Sequence, residues 1–136
     1  RLAFCCWQGL KHNDWTHIPL QAALAHVPPP ERAHPHAPGP FAFADPTRIG
    51  DILRGSGFNH IEVQPFVTNL QFGDAPSLQH SVRELAMIGP VSRLLAGQPP
   101  EILARVLASI EEAVAPRYQR GALTLPGAIW LVTATA

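Results

Sequence analysis

Apolar positions along the chain change their spacing several times, and each change marks an element. Leu2 to Trp7 is nearly all apolar or aromatic, without alternation. That pattern predicts a strand covered on both faces, as in a parallel sheet flanked by helices. After the polar stretch from Gln8 to Asp14, Asn13 or Asp14 can cap a helix reaching about His26, with Trp15, Ile18 and Ala22 on one face. From Val27 to Pro40, proline and histidine displace any period, which predicts an extended surface loop.

The next helix is specified at both ends. Asp45 is a good N-cap, and Pro46 stands at the first helical position, where its missing N–H costs nothing. Ile49, Ile52 and Leu53 supply the apolar stripe. Gly57 then provides a left-handed residue and Phe58 the contact that follows it. The helix is predicted over Pro46 to Ser56. His60 to Thr68 alternates, with Ile61, Val63 and Val67 on one side. Pro65 cannot donate to a ladder, so that strand belongs at a sheet edge.

Ser77 to Ile88 reads as a helix on Leu78, Val82, Leu85 and Met87 or Ile88. Gly89-Pro90 ends it and opens a short helix through Leu95. Pro100 to Ala115 is the most regular segment, with Ile102, Leu103, Val106, Leu107, Ile110 and Val114 at helical spacing, and Pro116 stops it. Ala128 to Thr135 is a last strand, apolar on both faces and hence expected at the centre of its sheet. The order is strand, helix, long loop, helix, edge strand, helices, buried strand. It describes an α/β chain with too few strands for a complete sheet, whose last two strands can pair antiparallel.

Composition narrows the picture. The 136 residues are 46% hydrophobic and 15% charged, a balance that excludes disorder. Formal charge is zero, so no basic field exists to collect nucleic acid or an anionic membrane. No apolar run approaches the roughly 20 residues of a bilayer span. Cys5 and Cys6 are adjacent in a strand and so point to opposite faces, which disfavours a bond between them. Two buried free thiols are expected, and with them a reducing, cytoplasmic compartment. The chain opens at Arg1 directly inside a strand, as the cut edge of a longer domain would.

Three runs carry a family likeness: Arg1-Leu2-Ala3-Phe4-Cys5-Cys6-Trp7, GPFAFADP from Gly39 to Pro46, and ILRGSGFNHIEV from Ile52 to Val63. The closing AIWLVTAT adds to them. Together they resemble the C-terminal part of class I S-adenosylmethionine-dependent methyltransferases, in the small-molecule branch related to ubiquinone and menaquinone methyltransferases. The resemblance implies a Rossmann-like sheet in which residues 1–7 are the fifth strand. It implies a lid helix and loop over 8–44, a helix and edge strand over 45–68, and lid helices over 77–116. Residues 128–135 become an antiparallel seventh strand between the fifth and sixth. The glycine-rich loop and the acidic residue that hold the cofactor in that family have no counterpart here, so the S-adenosylmethionine site of the parent enzyme is expected outside this chain.

Methyl transfer asks a protein chiefly to position a nucleophile and exclude water, so few residues carry a signature. The resemblance implies that Trp7, Asn13 and Trp15 line one side of a small-molecule methyl-acceptor site and Met87 the other; core packing is the alternative for the aromatics and for Met87. His34 and His36, with His12, His17 and His26 upstream, lack the ligand spacing of a zinc site and read as solvated loop residues. Glu111 and Glu112 fall on the outer face of their helix. A second reading makes the chain a non-catalytic assembly module, paired through the edge of the Leu2–Trp7 strand as a homodimer.

Overall fold

The computed structural model describes residues 1–30, 37–72 and 77–136. The elements in order are β1 (Leu2–Trp7), α1 (Asp14–Leu24), α2 (Pro46–Gly55), β2 (Asn59–Phe72), α3 (Leu78–Ala86), α4 (Gly89–Leu95), α5 (Pro100–Val114), β3 (Tyr118–Gln119) and β4 (Ala122–Thr135). The chain is mixed α/β, with a four-stranded sheet ordered β1-β4-β2 and β3 paired to β4. It divides into two compact units, and the boundary falls within β2 and within β4. The expected loop histidines His34 and His36 lie outside the described residues.

The first unit holds residues 1–13, 127–136 and the described part of 33–68. Here β1 runs antiparallel to β4, Leu2 opposite Ala134 through Trp7 opposite Ile129. The last strand is therefore internal, between β1 and β2, as its apolar character implies. β2 lies at an edge, where the missing N–H of Pro65 is tolerated. Ile49 and Leu53 of α2 pack on Val132 and Ala134, with Leu2, Phe4, Ile61 and Val63 around them.

Burial corrects the expectation of strands covered on both faces. In β1, Leu2, Phe4 and Cys6 are half-buried while Ala3 and Cys5 are exposed; in β4, Leu131 is 41% exposed between half-buried Trp130 and buried Val132. Among the described residues of this unit the α-helix is α2, and it packs on the face that carries Val132 and Ala134. The thiols are accordingly unequal, Cys5 exposed and Cys6 half-buried. Val67, placed on the same side of its strand as Ile61 and Val63, is 67% exposed while those two are half-buried.

The ends of α2 follow the local rules. Asp45 Oδ1 accepts from the Thr47 N–H at 2.8 Å, satisfying one of the donors a helix start leaves over. At the other end Gly57 takes φ +87°, and the Phe58 N–H reaches back to the Leu53 carbonyl at 3.0 Å. That is the Schellman arrangement. The stripe is narrower than expected: Ile49 and Leu53 are buried, but Ile52 is 40% exposed.

In the second unit, residues 14–30, the described part of 69–126 and hence α1, α3, α4 and α5, helix α1 packs against the other three. Its buried positions are Trp15, Thr16, Pro19 and Ala23. The expected face of Trp15, Ile18 and Ala22 is thus rotated by about one residue, because Pro19 carries the buried stripe. Val27, assigned to an exposed loop, is buried too. Of the six apolar positions expected on the stripe of α5, Val106, Ile110 and Val114 are buried, while Ile102, Leu103 and Leu107 are half-buried. Arg120 (φ +53°) and Gly121 (φ +81°) close a hairpin between β3 and β4, with both central residues left-handed as a type I′ turn requires.

Candidate functional site

In the first unit, chemistry-bearing groups gather where β1 ends. Asn13 is fully buried, and its side-chain amide is spliced into the end of the β1–β4 ladder. Its Nδ2 donates to the carbonyls of Gln8 (3.1 Å), Gly9 (3.2 Å) and Ala128 (3.2 Å), while Oδ1 accepts from the Ala128 N–H at 2.9 Å. The Gln8 N–H still reaches the Ala128 carbonyl at 2.9 Å. Asn13 therefore replaces one ladder partner with a side-chain peptide mimic, and only an amide offers a donor and an acceptor in that spacing. Gln8 adds a second tie, Nε2 to the Ile129 carbonyl at 2.9 Å. Asn13, expected to face a methyl acceptor, is fully buried and bonded to the backbone of Gln8, Gly9 and Ala128.

The loop preceding α2 is strapped to the same sheet. The Trp130 indole N–H donates to the Ala44 carbonyl at 2.8 Å, and the Cys6 thiol points at the Phe43 carbonyl at 3.7 Å. Burial, and secondarily the neighbouring Cys5, pushes the Cys6 thiol above its ordinary value, so it stays protonated and unreactive at neutral pH. The strap leaves Phe43 40% exposed. Trp130 had only a strand assignment in the sequence, and nothing local shows where its N–H goes.

The other two expected residues lie in the second unit. Trp15 is 6% exposed and stacks on Phe72, ring centroids 6.4 Å apart and planes at 24°. It also backs onto Gly89, whose φ of +62° turns the chain into α4; a Cβ there would lie 3.4 Å from Thr16 Oγ1 and 3.7 Å from the Trp15 ring. Trp15 is thus a packing residue. Met87 is the opposite case. It caps the end of α3 and is 77% exposed beside Ile88 at 38%, so the apolar face expected to run through Met87 or Ile88 stops at Ala86.

Sequence reading missed a groove of about 460 Å³ between α1 and α5, lined by Ile18, Gln21, Ala22, Ala25, Ser109 and Glu112 among others. His26 Nε2 and Ser109 Oγ meet near it at 2.7 Å. Ser109 sits inside α5, where backbone N–H groups are spent on the helix, so no donors converge to stabilise an oxyanion. The pair ties the end of α1 to α5. Glu111, expected to be solvated, accepts a hydrogen bond from Gln79 Nε2. Among the described residues, no group of three potential ligands could hold a metal ion, and no helix is long and apolar enough to cross a membrane.

No protein-family model matches the chain, and no curated protein does.

Proposed function

We propose that this chain is the C-terminal portion of a class I S-adenosylmethionine-dependent methyltransferase acting on a small, mostly apolar acceptor. The observation that carries the reading is the strand order. β4 lies between β1 and β2 and runs antiparallel to β1. Thr135 Oγ1 donates to the Asn59 carbonyl at 3.3 Å, so the start of β2 flanks the end of β4, as the start of β1 does. Hence β1 and β2 run the same way, joined through α2, with a final reversed strand inserted between them. A hairpin meander would give neither feature.

The described residues do not fit the cofactor. Gly9, which follows β1, is a lone glycine before a single 3-10 turn (Leu10–His12), and the positive-φ glycines stand at turns and helix ends. A sulfonium donor needs a close backbone approach at a glycine-rich turn. What this chain contributes is support. Asn13 holds the loop after β1 and Trp15 is packed under α4; Met87 is the member of the expected set whose side chain is open to a ligand. Trp7, half-buried at the end of β1, stands beside the Asn13 splice.

The test is methyl transfer from labelled S-adenosylmethionine to a panel of phenols and other small apolar acceptors, using the product of the whole reading frame that contains this chain. Titration calorimetry with S-adenosylhomocysteine accompanies it. Labelled product with saturable binding is expected; absence of both sinks the proposal.

A further inference from the structure

Hydroxyls on and beside the helices find backbone carbonyls. Ser56 Oγ donates to the Ile52 carbonyl at 2.9 Å and Ser92 Oγ to the Gly89 carbonyl at 2.9 Å. Ser81, fully buried, donates to the Phe72 carbonyl at 3.0 Å. Such back-bonding is the usual recourse of serine and threonine in helices. Thr16 of α1 departs from it. The residue is 2% exposed, yet its hydroxyl has no hydrogen-bond partner among the described residues. A buried hydroxyl left unpaired destabilises the fold, and such groups are rare enough to call for a reason.

The turn from α3 into α4 lies over this hydroxyl. A Cβ at Gly89 would stand 3.4 Å from Thr16 Oγ1 and 3.7 Å from the Trp15 ring. An indole edge and a free hydroxyl therefore meet under a residue that carries no side chain, where a close approach is open to a ligand. Met87 and Ile88, just before Gly89, are 77% and 38% exposed and add open apolar surface to the same turn. Apolar walls with one placed polar group are the usual make-up of a small-molecule site. The start of the cover is lightly held. α4 is seven residues long, begins without a side-chain cap, and stands between two left-handed glycines, Gly89 at φ +62° and Gly97 at φ +75°.

We propose that Thr16 is a specificity-determining residue of the acceptor site: its hydroxyl binds the oxygen of a phenol that lies against Trp15 when the Met87–Gly89 turn lifts. The inference deepens the methyltransferase reading and rests on it for the ligand's role as methyl acceptor. A threonine hydroxyl both donates and accepts, so it serves a phenol or its anion. Discrimination is the consequence. A site built to hydrogen-bond an oxygen strongly rejects an analogue lacking it, whereas an apolar pocket separates the two poorly. The unpaired hydroxyl of the free protein is the state from which the correct ligand draws its extra affinity.

The product of the whole reading frame is titrated with phenol and with toluene, which has a methyl group in place of the hydroxyl. Phenol is expected to bind more tightly. Thr16→Val, which keeps the side-chain shape, should weaken phenol about tenfold and leave toluene unchanged, and Thr16→Ser should restore the preference. Because the hydroxyl is unpaired, Thr16→Val should also leave the urea midpoint unchanged or higher, which the loss of a structural hydrogen bond would not do. Absence of phenol binding, a preference that survives Thr16→Val, equal loss of both ligands or a lowered midpoint overturns the proposal. Titration of the same proteins with S-adenosylhomocysteine separates the two readings. A Thr16-dependent phenol preference without cofactor binding keeps this site and sinks the methyltransferase; cofactor binding and methyl transfer with no dependence on Thr16 does the reverse.

Discussion

Replacing Asn13 isolates the energetic role of the splice at the end of β1. Asn13→Ala removes four hydrogen bonds at a fully buried position. The Ala128 N–H loses its side-chain acceptor, and Gln8 and Gly9 lose donors. An abandoned buried donor or acceptor costs about 1–3 kcal/mol. The Ala128 carbonyl keeps the Gln8 N–H and the Gly9 carbonyl keeps the His12 N–H, so the loss falls chiefly on two groups, the Ala128 N–H and the Gln8 carbonyl. The expected loss is about 3–5 kcal/mol, a large share of the roughly 5–15 kcal/mol available to a domain. In urea, with a slope near 1.5 kcal/mol/M, the midpoint falls by about 2–3 M.

Asn13→Asp separates hydrogen-bond chemistry from volume. The carboxylate keeps the acceptor for Ala128 but sets negative charge against three carbonyl oxygens, so its folded-state pKa rises above the ordinary value of about 3.9. With the folded state holding the proton more tightly, stability falls as pH rises through and beyond about 3.9. The deficit relative to the unsubstituted chain is therefore larger at pH 7 than at pH 4. Urea titrations at both pH values, followed by far-ultraviolet circular dichroism, measure it. A loss under about 1 kcal/mol for Asn13→Ala, or no pH dependence for Asn13→Asp, refutes the reasoning.

Three further outcomes follow from single contacts. Exposed Cys5 should react with a thiol reagent well before Cys6; because burial raises the Cys6 thiol, stability contributed by keeping it neutral is lost as pH rises above its ordinary 9.0, which a high-pH denaturation series detects. Gly57→Ala and Gly55→Ala should differ in sign: neither Cβ meets an atom within 4 Å, but Gly57 has φ +87° and Gly55 is helical. The first should cost about 1 kcal/mol and the second gain up to that amount by thermal denaturation. Trp130→Phe removes the bond to Ala44 and should cost about 1 kcal/mol, with faster amide exchange in residues 40–45.

Local rules carry much of the fold. Asp45-Pro46 and Gly57-Phe58 fix both ends of α2 because a cap and a left-handed residue act within a few bonds. Pro65 assigns β2 to an edge through the N–H it lacks, and α5 follows from its 3.6-residue period. These are properties of short stretches, readable without knowing what packs on them. Faces are different. Ala3, Cys5 and Leu131 are apolar, but their exposure depends on whether a helix lies above that side of the sheet, which no window of neighbouring residues encodes. The same limit applies to the candidate site. Asn13 reads as an N-cap or a ligand contact; its fate as a clasp on Ala128, 115 positions away, arises only when β4 returns beside β1. Met87 extends an apolar helical period on paper, yet α3 ends at Ala86 and leaves it in solvent, because burial is decided by distant elements rather than by hydrophobicity.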